Sequence, residues 1–94
     1  MNDGQVLDAV AVAKRSYKRA EAAATRKFQT VTDKAEAFFN DRDDVECAAK
    51  HNVIKRAEAE YEVAVSRARI TLIDRLESLR ERAGEWADLV PRVR

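Results

Sequence analysis

The sequence predicts an all-α fold, an antiparallel two-helix hairpin of coiled-coil type, on three observations. Apolar residues recur at steps of three and four on both sides of the midpoint. Helix breakers are nearly absent, with two Gly and one Pro in 94 residues. One polar and acidic interruption, Asn40-Asp41-Arg42-Asp43-Asp44, separates the two periodic stretches. Asn and Asp bond local backbone groups and tolerate the left-handed conformation, so they suit a helix stop and a new N-cap. The chain is expected to form a single domain, with a helix over about 4–39 and a turn at about 40–43. A second helix runs over about 44–83, and a helical extension over about 85–90.

Asn2 or Asp3 can cap the first helix. Its apolar stripe runs Val6, Val10, Ala13, Tyr17, Ala20, Ala24, Phe28, Val31, Ala35 and Phe38. That is a heptad-like pattern with one extra residue, a stutter, around Ala24–Phe28. At the turn, Asp43 followed three residues later by Glu46 reads as an acidic capping box. The second stripe runs Val53, Ala57, Tyr61, Ala64, Ala68, Leu72, Leu76, Leu79, Ala83, Trp86 and Val90. Gly84, just after Arg80 and Arg82, is a plausible helix end, yet the stripe continues to Val90. The helix either runs on past Gly84 or breaks there into a short second helix. Folding the chain at its midpoint pairs residues whose numbers sum to about 85 by the helical rise. Phe28 then meets Ala57, Val31 meets Val53 or Ile54, and Val6 meets Leu79, so large side chains face small ones along much of the seam.

With 37% charged and 6% aromatic residues, the core must be thin and rich in Ala. Eighteen basic residues nearly cancel seventeen acidic ones, so no global field favours nucleic acid or membrane. The single cysteine, Cys47, excludes an internal disulfide framework and suits a reducing compartment. The N-terminus has neither the basic start nor the apolar run of a signal peptide, and no apolar run approaches the roughly 20 residues of a membrane span. A cytoplasmic location without membrane association is expected.

Two helices bury one seam only. Leu7, Val12, Phe39, Ile54, Ile70, Ile73 and Leu89 are left over, and with Trp86 they form the expected apolar interface. It would be satisfied by self-association into a homodimeric four-helix bundle, or by a partner protein. A basic belt is the second candidate. Between Lys14 and Lys27 lie Lys14, Arg15, Lys18, Arg19, Arg26 and Lys27 against one acid, Glu21. The hairpin register adds Arg67 and Arg69. Like charges four residues apart cost stability unless something compensates them, and such clusters can hold phosphates or an acidic protein surface. Tyr17 is the one interleaved aromatic, which gives base stacking little support.

An acidic tip, Asp41, Asp43, Asp44 and Glu46, is the third candidate. A helical hairpin ending in carboxylates resembles, in architecture, the secondary-channel regulators of bacterial RNA polymerase, whose tip acids approach the catalytic Mg²⁺. That resemblance implies a transcription-regulating tip; capping alone also accounts for acids at a helix N-terminus. Cys47 and His51, with Asp44 one turn before, share a helix face but offer one chain too few ligands for a metal. No metal or cofactor is expected. There is no Gly-rich phosphate loop, no zinc-protease helix signature and no nucleophile elbow, so no catalytic residue is assigned and the chain is not expected to be an enzyme. The function expected is non-catalytic recognition of a macromolecule by a small adaptor, inhibitor or assembly factor. Nucleic-acid binding through the belt, transcription regulation through the tip, and a small ligand held between subunits are the alternatives.

Overall fold

The structure, a computed structural model, describes residues 1–39 and 44–92, with the backbone alone for 44–47. The turn expected at 40–43 lies outside the described residues. All regular structure among them is helical. Helix α1 spans Asp3–Phe39 (37 residues) and helix α2 spans Asp44–Ala83 (40 residues). A 3-10 helix follows at Gly84–Leu89. The two long helices pack as an extended hairpin of 64 × 18 × 12 Å.

Local chemistry accounts for where α1 begins. Asn2 Oδ1 accepts a hydrogen bond from the Gln5 amide at 2.8 Å, and Gln5 Oε1 accepts one from the Asn2 amide at 3.0 Å. This is a reciprocal capping box, which satisfies donors that a helix start otherwise leaves open. Asp3 Oδ1 takes the Gly4 amide at 2.8 Å. From there α1 runs without Gly or Pro to Phe39.

The end of α2 is decided at Gly84. Its φ of 59° is left-handed, a conformation that stops an α-helix and that glycine adopts without a Cβ penalty. The chain then turns back as the 3-10 helix rather than continuing α2. Of the two courses open from the sequence, the structure takes the break.

That return builds the main core. Val6, Val10 and Ala13 of α1 pack with Leu72, Leu76, Leu79 and Ala83 of α2 and with Val90. Val6 is 0% and Val90 1% exposed. Half-buried Ala9, Tyr17 and Trp86 pack against the cluster. The Arg80 guanidinium donates to the Val90 carbonyl at 2.7 Å and fastens the returning segment to α2. The core is therefore dense at the end where the termini meet.

Towards the turn the seam thins. Among the described residues, the buried ones there are alanines, Ala24, Ala35 and Ala57, with Phe28 and Tyr61 half-buried between them. Their rings lie 5.8 Å apart at 46°. The stripe inferred from the sequence is not buried throughout: Ala20 and Ala64 are exposed, Val53 is 39% exposed and Phe38 65%. Alanine side chains such as Ala20 and Ala68 are too short to fill the seam at this level. An open cleft of about 180 Å³ beside Ala20 and Ala68 is the result.

Candidate binding surfaces

With about 3.6 residues per turn, residues nine apart lie half a turn around the helix from each other. That spacing sorts the exposed side chains of each helix by face. In α1, Arg19 is nine residues from buried Val10, and Arg26 nine from buried Ala35. Arg15 lies four residues before Arg19, and Lys18 one turn beyond Arg15. All four are exposed; Arg15, Arg19 and Arg26 point away from the seam and form a short basic stripe along the back of α1, with Lys18 at its edge towards the Lys14 flank.

The other belt residues do not join that stripe. Lys14 and Lys27, both exposed, are thirteen residues apart, about 140° around the helix, and flank the seam on opposite sides. Arg67 and Arg69 diverge for the same reason, being two residues apart. Lys27 and Arg67 line one side groove with Arg56, Glu60, Ala59 and Val63. Lys14 and Arg69 lie on the other side of the hairpin. The expected belt is thus a back stripe plus two separate flanks, because sequence proximity does not imply a shared helical face. Glu21, the one acid of the region, accepts a hydrogen bond from the Tyr17 hydroxyl at 2.9 Å. Tyr17 is turned to the seam, away from the arginines.

The eight apolar interface residues are also spread. Leu7 and Val12, 52% and 54% exposed, are five residues apart and point to different sides of α1. Ile54 and Ile73 are half-buried beside the seam, and Phe39 is half-buried with its ring edge-on to Phe38 at 4.9 Å. Trp86 packs on the main core, and Leu89, 38% exposed, sits on the returning segment. Ile70 alone stands on the back of α2, 58% exposed and nine residues before buried Leu79. Val63, 49% exposed and nine before buried Leu72, shares that face. Val63 belongs to no seam position, and Arg56 with Lys55 lies outside the dense basic run of Lys14–Lys27, so neither stands out from sequence alone. The seven-residue spacing of Val63 and Ile70 was the available signal.

Asp41 and Asp43 of the acidic tip lie outside the described residues. Asp44, Glu46 and Cys47 are within α2, with only their backbone described, and His51 is exposed. Among the described residues, no group of three or more His, Cys, Asp or Glu side chains is placed to hold a metal ion. None of the helices searched is long and apolar enough to cross a membrane. No family model matches the chain, and no curated protein or solved structure is significantly similar to it.

Proposed function

We propose that this protein is a non-catalytic binding module that self-associates and recognises an acidic protein surface through the back of α1. One observation carries the reading. Arg15, Arg19 and Arg26 occupy one exposed outer face, with Lys18 at its edge, over a stretch of about 17 Å by the helical rise. Like charges gathered at helical spacing cost stability, and a face that bears that cost is one that a negatively charged partner relieves. Arginine suits carboxylates because its fork of donors grips them in pairs. An acidic protein is favoured over nucleic acid because the one aromatic near the stripe, Tyr17, faces inward and is engaged by Glu21.

The test is binding of a fluorescent acidic peptide and of a short DNA duplex across a salt series, with wild type and Arg15→Ala/Arg19→Ala. The expected outcome is peptide binding that the double variant weakens about tenfold or more, consistent with two lost charge-assisted contacts. Duplex binding whose salt dependence falls by about two ions in the variant transfers the stripe to nucleic acid. No binding of either probe at low salt makes the stripe a solvated face and overturns the proposal.

A further inference from the structure

The back of α2 carries a second stripe, independent of the seam. Lys55, Ala59, Val63, Ser66, Ile70 and Asp74 are all exposed and recur at steps of four, four, three, four and four. That order of steps reads the same in both directions about the point between residues 64 and 65. A second α2 laid antiparallel with its two-fold axis at that point therefore meets the stripe in register along its whole length. Large meets small: Ile70 faces the Ala59 position of the other copy, and Val63 faces the Ser66 position. We infer that this face is the self-association surface of the protein, and that its occupant is the same face of a second copy. The inference rests on the self-association proposed above and names its surface and register.

The flanking charges select the same arrangement. In an antiparallel pair, a flank of one helix faces the corresponding flank of the other. On one flank, Arg56 comes opposite Asp74 and Glu60 opposite Arg67. On the other flank, Glu62 comes opposite Arg69. All six are exposed, and the two-fold axis makes each pairing twice. Sliding the copies by a heptad reverses this. In one direction Arg67 meets its own counterpart and Glu60 meets Asp74; in the other, Glu60 meets its counterpart and Arg56 meets Arg67. The register centred between 64 and 65 thus sets opposite charges together, and its neighbours set like charges together. The groove lined by Ala59, Val63, Arg56 and Arg67 beside Lys27 gives the incoming helix a seat on one flank. The apolar contribution is small, two knobs per chain, so the dimer is a weak one whose register is fixed by charge.

Sedimentation equilibrium over a wide concentration range, with helicity read by circular dichroism, tests this on wild type and two sets of variants. Ile70→Glu changes a residue already 58% exposed, so helicity is retained, while the dimer dissociation constant rises roughly 100-fold because two sites are lost per dimer. Glu60→Arg alone also weakens the dimer, and adding Arg67→Glu restores it, since the exchange re-forms both symmetric pairs. A wild type that stays monomeric throughout overturns the self-association itself and leaves the face for a different chain. A wild-type dimer that Ile70→Glu does not weaken overturns this surface and leaves self-association standing on another. A dimer that Ile70→Glu weakens, but that the charge exchange does not restore, overturns the register.

Discussion

Gly84 gives the sharpest test of how the chain ends, because the two courses open to it predict opposite signs for one substitution. With φ at 59° and nothing within 4 Å of where a Cβ would stand, Gly84→Ala meets no clash and its whole effect is conformational. Placing Ala in the left-handed region costs about 1–2 kcal/mol. Reduced freedom of the unfolded chain returns about 0.4–1 kcal/mol of that. The net expectation is a loss of up to about 1.6 kcal/mol, centred at about 0.8 kcal/mol, which is a fall in Tm of about 3–6 °C for a domain of this size. Gly84→Asn should lose less than Gly84→Ala, because Asn tolerates the left-handed cap. Thermal unfolding followed by circular dichroism at fixed protein concentration measures both, since self-association would otherwise move Tm. If α2 instead ran straight through residue 84, Gly84→Ala would stabilise by about 1 kcal/mol, the helix-propensity difference. A rise in Tm would therefore refute the fold-back, and with it the burial of Val90 against Val6.

Two further predictions follow from the uneven core. Leu79, 2% exposed, sits in the dense end, and Leu79→Ala should cost about 2–5 kcal/mol in denaturant unfolding, whereas Val53→Ala, at a site 39% exposed, should cost under about 1 kcal/mol. Comparable losses at both sites would mean that the seam is equally packed along its length. Arg80→Ala removes the donor to the Val90 carbonyl and should cost about 1–3 kcal/mol, with amide exchange accelerating selectively over residues 85–90. Unchanged exchange there would show that Val90 and Trp86 hold the segment without Arg80.

The hairpin was legible because its signal is redundant. Breaker-free periodic stretches, a capping Asn2 or Asp3 and one polar interruption all favour the same two helices, and agreement between levels is what makes a sequence readable. Phe28 lies beside Ala57, and Val6 lies in one cluster with Leu79, as midpoint folding places them. What the periodicity could not give was depth. It treats Ala20 and Val10 as equal members of one stripe, yet burial depends on whether the facing volume fills the gap, and opposite Ala20 it does not. Nor could it choose a course at Gly84, since apolar spacing continues through a 3-10 return as readily as through an α-helix. That choice turns on a single φ.

The candidate surfaces were less legible for a related reason. Charges close in sequence suggest one belt, but helical geometry sends Lys14 and Lys27 to opposite flanks and leaves Arg15, Arg19 and Arg26, edged by Lys18, as the coherent part. In α2 the apolar residues serve two faces at once, so a search for one stripe absorbs Leu72, Leu76 and Leu79 and leaves Val63 and Ile70 as unrelated remainders. They become related only when the seam residues are subtracted and the rest are put on the opposite face. The proposed second stripe would also account for charges of alternating sign crowding the flanks of α2. A helix with one buried face can leave the order of its outer charges free. One that packed on both faces would use that order to choose a partner and a register, and under the proposed dimer Arg56, Glu60, Glu62, Arg67, Arg69 and Asp74 are ordered as a self-complementary antiparallel pair would require.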